Sequence, residues 1–277
     1  MIDFKTMQKR NIFILKGDNM KFTLVTGAAS GLGKEFSYIY AKEGNNLILV
    51  DINIAGLTKL KEELLSINKE LIIVAIQCDL TKINEIKQLV SKLTSKDIFI
   101  NTLINAAGFG DRKDFKDMDL DKQIKMIDLN CTCLVYLTKY FLKNMLANKE
   151  GHIINISSIA GYMPGPYMST YHASKAYVLS LGEALSYELQ GTGVKLLTLC
   201  PGPFTSNFVK VAHNDYTFSK IKPIEAKKVA LIGYKKSIKG KSLYIVGFKN
   251  KLICFCLRFI PRSLIAKLSA KTMKKGA

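Results

Sequence analysis

The chain has no C-x-x-C pair and no apolar run near the ~18 residues that a membrane-spanning helix needs. Its six cysteines are Cys78, Cys131, Cys133, Cys200, Cys254 and Cys256, and they fall largely inside apolar stretches. That excludes zinc-finger spacing and gives no disulfide framework, so they read as buried thiols of a reducing compartment. The best apolar stretch near the end, Leu252 to Leu257, is stopped by Arg258. A secretory signal is not expected either, because the short run Ile12 to Leu15 is followed by charge rather than by a small-residue cleavage site. The expectation is a cytoplasmic protein, with peripheral membrane contact as an open alternative.

Acids are scarce at one end. From Lys210 onward, 17 Lys/Arg stand against two acids, Asp215 and Glu225, which is +15 of the net charge of +19. The remaining 209 residues are nearly balanced, 24 basic against 20 acidic. Two readings stay open: a solvated basic face, or a surface attracted to anions such as lipid headgroups or an acidic substrate. Nucleic acid is disfavoured, since no binding module and no basic–aromatic interleaving accompany the charge.

Long Gly/Ser/Pro linkers and internal repeats are also lacking, which favours one domain. What is present is ample core material: 48% of the 277 residues are hydrophobic and 23% charged, which excludes a disordered chain. Short β-branched runs alternate with helical patterns. Strands are expected at Phe22–Thr26, Leu47–Asp51, Ile72–Gln77, Thr102–Asn105, His152–Ser157, Lys195–Leu199 and Leu243–Val246. Helices are expected near Gly33–Glu43, Ile54–Ile67, Lys82–Leu93, Leu120–Ala147, Thr170–Gln190 and Pro223–Ser237. Apolar strands alternating with helices predict a single doubly wound α/β domain, with a seven-stranded parallel sheet and helices on both faces. This domain spans residues 21–247. Residues 1–20 form an N-terminal extension, with Met20 as the expected biological start. Residues 248–277 form a basic amphipathic helical extension broken at Pro261.

Three sets of residues carry chemistry. The first strand runs into Thr26-Gly27-Ala28-Ala29-Ser30-Gly31-Leu32-Gly33, where glycines let the backbone approach a pyrophosphate facing the free N–H groups of a helix start. Asp51 ends the second strand, 18 residues after Gly33. A carboxylate there suits both adenine-ribose hydroxyls and repels a 2′-phosphate, so NAD(H) is preferred over NADP(H). Asp51 as a cap for the helix starting near Asn53 fits the same placement. Tyr171 and Lys175 lie four apart in a helical segment and so project from one face. An ammonium beside a phenol lowers the phenol pKa towards working pH, making Tyr171 a general acid/base. Ser158 stands thirteen residues earlier, just past the fifth strand, with Ser157 as the competing serine.

Together these residues resemble the short-chain dehydrogenase/reductase family from about Lys21 to Val246, in the branch of hydroxysteroid dehydrogenases and ketoacyl reductases. Gly27, Ser30, Gly31, Leu32 and Gly33 match its nucleotide loop. Asn105-Ala106-Ala107-Gly108 matches its N-N-A-G element with Ala in the second place. Asp79 and Leu80 match the acidic element that holds the adenine amino group, and Asn130 matches the active-site Asn. Ser158, Tyr171 and Lys175 match the catalytic Ser, Tyr and Lys. Pro201-Gly202-Pro203 matches the P-G motif, with Ser206, or Thr205 in competition, where the family contacts the nicotinamide carboxamide.

The resemblance implies hydride transfer between nicotinamide C4 and a carbinol or carbonyl carbon. Tyr171 would exchange the proton, Ser158 would hold the substrate oxygen, and Lys175 would tune Tyr171 and bind the nicotinamide ribose. Asn130 would order a water linking Lys175 to solvent. A homodimer or homotetramer is the family default, and no metal is implied. Tyr162, Met163, Tyr167, Phe204, Phe208 and Tyr216 lie in loops that border these groups and offer an apolar lining. They favour a bulky hydrophobic substrate, most simply a hydroxysteroid or bile acid. The alternatives are a membrane-associated long-chain 3-oxoacyl reductase of lipid metabolism and a non-catalytic nucleotide sensor.

Overall fold

The computed structural model describes residues 20–94, 98–205 and 223–273. Its sheet has seven strands in the order β3-β2-β1-β4-β5-β6-β7. They are β1 (Met20–Thr26), β2 (Asn46–Asp51), β3 (Ile73–Gln77), β4 (Ile98–Asn105), β5 (Gly151–Ile156), β6 (Val194–Cys200) and β7 (Leu243–Ile245). Every ladder is parallel, so each connection crosses over a face of the sheet.

The helices supply both covers. On one face lie α1 (Gly31–Lys42), α2 (Ile54–Ile67) and α7 (Ala226–Ile238), which bury Phe36, Leu57, Leu60 and Val229 against Leu47, Leu49 and Leu199. On the other lie α3 (Ile83–Thr94) and α5 (Leu134–Ala147), which bury Ile86, Leu93, Leu137 and Phe141 against Phe22, Leu24 and Leu103. With both faces dry, the central strands can be apolar along their whole length. Each fully buried Leu or Phe contributes about 1.5–3 kcal/mol of transfer free energy.

Two elements differ from expectation. β4 starts at Ile98, because Ile98 to Ile100 pair with Met20 to Phe22 along the edge of β1. The stretch expected as one helix over Leu120–Ala147 is α4 (Leu120–Ile127), a π-helical turn (Asp128–Cys133) and α5. Such turns interrupt the regular i→i−4 ladder and concentrate at functional sites. After β7 the chain forms α8 (Phe248–Cys256), a short turn over Leu257–Phe259, and α9 (Arg262–Met273). The Pro261 carbonyl accepts the first amides of α9, from Leu264 at 3.0 Å and Ile265 at 3.1 Å.

The chain order reverses between β1 and β4, which pair with Thr26 opposite Asn105. Their carboxyl ends therefore open a crevice at the switch point, where ligands of such sheets bind.

Candidate active site

Thr26 builds the floor of that crevice. Its hydroxyl accepts the amides of Ala106 (3.1 Å) and Ala107 (3.2 Å), bolting the ends of β1 and β4 together. Gly27 follows with φ +65°, and a Cβ there would come within 2.9 Å of Ala107 Cα. At Gly33 a Cβ would overlap the Gly27 carbonyl oxygen, so only glycine lets α1 sit this close to the loop. Ser30 occupies the N-cap of α1 without making a side-chain cap bond, and it lines a cleft of about 570 Å³ with Ala29, Gly31, Lys34 and Thr205. Leu32 is itself buried in the core, so it can present only backbone to a ligand.

Asp51 is not the cap of α2; Asn53 is, with its side chain accepting Gly56 N at 3.0 Å. The Asp51 carboxylate accepts Ala29 N at 3.0 Å and Asn53 N at 2.9 Å, which fixes it beside the glycine loop. Asp79 is occupied locally. It accepts the amide and hydroxyl of Thr81 (3.1 and 2.7 Å) and pairs with Lys82, while Leu80 is core.

Asn105 departs from the role expected for it. Its side chain is turned into the interior, donating to Thr138 Oγ1 at 3.0 Å and Asn155 Oδ1 at 2.8 Å. These bonds hold the strand end that leads into Ala106 and Gly108. Thr205 likewise spends its hydroxyl on the start of α7, accepting Ala226 N at 3.1 Å. Ser206, Phe208 and Tyr216 lie outside the described residues. Phe204 packs against the core rather than standing free in the loop.

The chemical groups converge from β5, α6 (Ser169–Glu188) and the π-helical turn. Ser157 is structural, its hydroxyl donating to Lys175 O at 2.8 Å. Ser158 instead faces the Tyr171 phenol and is hydrogen-bonded to it. One turn along α6, Lys175 Nζ donates to Ile156 O at 2.9 Å and lies 5.8 Å from the Tyr171 ring centre. Asn130 is latched to Phe109: it donates to Phe109 O (3.0 Å) and Ser174 Oγ (3.0 Å) and accepts Phe109 N (3.2 Å). Its side chain thus fixes the loop after β4. A Cβ on Gly108 would meet Asn130 Oδ1 at 2.9 Å and Lys175 Nζ at 3.5 Å, so Gly108 closes the same small space.

The electrostatics differ from the sequence expectation in one respect. Burial pushes the Tyr171 phenol up to about 12, opposed by its bond to Ser158. Burial also pushes the Lys175 amine down to about 8. The amine is turned to the Ile156 carbonyl, and desolvation is the larger influence on the phenol.

Several contributors escaped the sequence reading. His172 is buried beside Tyr171, with Nδ1 3.0 Å from Met163 O, and a Cβ on Gly165 would overlap its ring. It therefore pins the loop carrying Tyr162, Met163 and Tyr167. In that loop Tyr167 adopts φ 67°, unusual for a bulky residue, and its carbonyl accepts Lys113 N at 2.9 Å. The only prior signal was the adjacency of His172 to Tyr171.

Desolvation holds the His172 pKa below its ordinary value of 6.5, against the raising effect of its backbone hydrogen bonds. Unfolding then takes up protons once the pH falls below about 6.5, so the fold loses stability in acid. His152 adds to this with the same sign. We expect Tm to fall as the pH drops below about 6.5, and His172→Gln to flatten part of that slope. Equal slopes in thermal melts of both proteins would reject the assignment.

Among the described residues no His/Cys/Asp/Glu group could hold a metal. None of the six cysteines is in a disulfide; Cys256 is exposed and Cys131 half-buried, so they are not uniformly core thiols. No helix among the described residues is long and apolar enough to cross a membrane.

A glycine cradle at the switch point, a carboxylate at the end of β2 and a Ser–Tyr–Lys set across the crevice define a nicotinamide-dependent oxidoreductase. The comparisons agree. The short chain dehydrogenase family profile matches residues 21–217, and the chain belongs to that family. An uncharacterized oxidoreductase of Staphylococcus saprophyticus is 32% identical over 182 residues, covering 66% of this chain and 77% of that protein. An 11-beta-hydroxysteroid dehydrogenase of Pinus massoniana is 31% identical over 200 residues, covering 71% of this chain and 55% of the relative. A short-chain dehydrogenase from Sphingobium yanoikuyae, solved in complex with NADPH, superposes with a TM-score of 0.79 at 25% identity, covering 88% of this chain and 94% of that one. The protein is thus an NAD(P)-dependent short-chain oxidoreductase.

Proposed function

We propose that the protein interconverts a secondary alcohol and a ketone on a bulky hydrophobic substrate, most simply a hydroxysteroid or bile acid, with NAD(H) as cofactor. The observation that carries this reading is the Ser158–Tyr171 hydrogen bond, with Lys175 one helical turn away and Tyr162, Met163 and Tyr167 on the loop pinned beside them. When bound, the nicotinamide supplies or accepts the hydride. Ser158 holds the substrate oxygen and Tyr171 gives or takes its proton. Lys175, beside Gly108, binds ribose hydroxyls and favours the phenolate. Gly27, Gly31 and Gly33 admit the pyrophosphate to the start of α1.

The resemblance to a hydroxysteroid enzyme of pine supports the substrate class. The enzyme assembles as a homodimer or homotetramer, a reading supported by exposed Phe115, Ile127 and Tyr177 around one shallow apolar depression.

A panel of steroid alcohols and ketones, with simple alcohols and a long-chain 3-oxoacyl thioester as comparison arms, tests the proposal by nicotinamide absorbance. Turnover restricted to small polar alcohols would defeat it.

Cofactor choice has its own test. The Asp51 carboxylate would lie against a 2′-phosphate, and like charges held close cost enough to discriminate. Asp51→Ser should lower kcat/KM for NAD and raise it for NADP, each by about tenfold, some 1.4 kcal/mol. An unchanged NAD/NADP ratio would show that Asp51 does not set the preference.

A further inference from the structure

The C-terminal helices form a surface that catalysis leaves unexplained. Residues 226–277 hold 14 Lys/Arg and no acid. On α8 and the turn after it, Phe248, Leu252, Phe255 and Phe259 follow at intervals of four, three and four, which is one helical stripe. All four are exposed, Phe248 at 80% and Phe259 at 74%. Phe255 and Phe259 stack edge to face at 5.3 Å. Leu264 and Leu268 extend the exposed apolar surface along α9, while Ile265 and Ser269 point inward. Lys249, Arg258, Arg262, Lys267 and Lys271 flank these residues.

We propose that α8, the Leu257–Phe259 turn and α9 dock the enzyme peripherally on an anionic lipid surface. Water is a poor neighbour for three exposed phenylalanines and several leucines close in the chain. The flanking charge has one sign, complementary to acidic headgroups, and each cation near such a surface is worth about a fivefold gain in partitioning. A second copy is the wrong occupant. Isologous pairing would set this acid-free basic face against itself, with no carboxylate on either side to neutralise it.

The docking face is tied to the site. Arg112, two residues beyond the loop segment Phe109-Gly110, donates through its guanidinium to the Met273 carbonyl at the end of α9. Asn250 of α8 fills the space beside Gly202, where a Cβ would meet its Nδ2 at 2.6 Å. Gly202 follows Pro201, whose carbonyl accepts the Ser158 hydroxyl at 3.4 Å. Docking through these helices presents loops that border the crevice to the bilayer. Delivery of substrate from lipid rests on the hydrophobic-substrate reading above; the docking itself does not.

Co-sedimentation of the full chain with vesicles tests this. The protein should pellet with phosphatidylcholine mixed with phosphatidylglycerol, stay in solution with phosphatidylcholine alone, and be released by salt. Phe248→Ser with Phe255→Ser and Phe259→Ser should weaken partitioning at least about tenfold. Arg258→Gln with Arg262→Gln should weaken it about twentyfold. Both variants should keep wild-type far-UV circular dichroism and NADH binding, which separates lost docking from lost folding. Absence of pelleting, equal pelleting with neutral vesicles, or a lipid-free dimer abolished by the phenylalanine variant would overturn the proposal. Because sedimentation needs no turnover, a failure of the substrate assignment leaves this result readable.

Discussion

Tyr171→Phe should lower kcat by about a thousandfold, within the 10²–10⁴ typical of a lost general acid/base, while NADH binding stays near wild type. The substitution removes one oxygen from a side chain whose ring remains packed between Ser158 and Lys175, so the pocket keeps its shape. Ketone reduction then lacks a proton donor, and alcohol oxidation lacks an acceptor. The pH profile of the unaltered enzyme should carry the same signature. With the free phenol near 12, reduction is flat through neutral pH, because the donor stays protonated. Oxidation rises with pH, because it draws on the phenolate. Retained turnover in the phenylalanine variant, measured by nicotinamide absorbance, would move the proton-transfer role to another group.

Lys175→Met should act in opposite directions on activity and stability. Activity should fall about a hundredfold or more, since the ribose contact proposed for the amine and its positive charge 5.8 Å from the phenol ring centre are both lost. Stability should rise. Lys175 is 6% exposed and has no carboxylate partner among the described residues, and its pKa is pushed down from 10.5 to about 8, a burial cost of roughly 3 kcal/mol at neutral pH. Methionine fills similar volume without that charge but leaves the Ile156 carbonyl short of a donor, which returns about 1 kcal/mol or more. The net gain is about 1–2 kcal/mol, or roughly 4 °C in Tm for a chain of this size.

The pH dependence fixes the sign. Unfolding of the native enzyme takes up the Lys175 proton between about pH 8 and 10.5, so that part of its stability grows through this window. The advantage of the methionine variant should shrink accordingly as the pH is raised. Thermal melts at pH 7 and pH 10 check it, and a variant less stable at both would mean that hydrogen bonding outweighs the buried charge.

These two side chains also mark where reading along the chain stops. That Tyr171 and Lys175 share a helix face follows from their spacing of four, and the structure places both on α6. That the amine turns to Ile156 O follows from where β5 ends, 19 residues earlier in sequence. The interval between Gly33 and Asp51 foretells a carboxylate beside the glycine loop, and its bond to Ala29 N shows the two in contact. The Asn105 side chain, by contrast, goes inward because Thr138 and Asn155, distant in sequence, offer it buried partners.

Asn130 and Arg112 give the same lesson at longer range. The expected single helix over Leu120–Ala147 contains a π-helical turn at Asn130, and hydrophobic periodicity is too coarse to register one extra residue in a turn. Arg112 finds its partner 161 residues away, a relation that no local pattern encodes.

The sequence by itself determined the alternation of strand and helix, the glycine turn, the acid at the end of β2 and the family of the enzyme, because periodicity and motif spacing are local properties of the chain. Only the tertiary structure decided which serine faces the phenol, which way each proton equilibrium is displaced, and that the basic terminal helices border the crevice. Burial and desolvation depend on neighbours that folding brings together, and those neighbours lie far apart along the polypeptide.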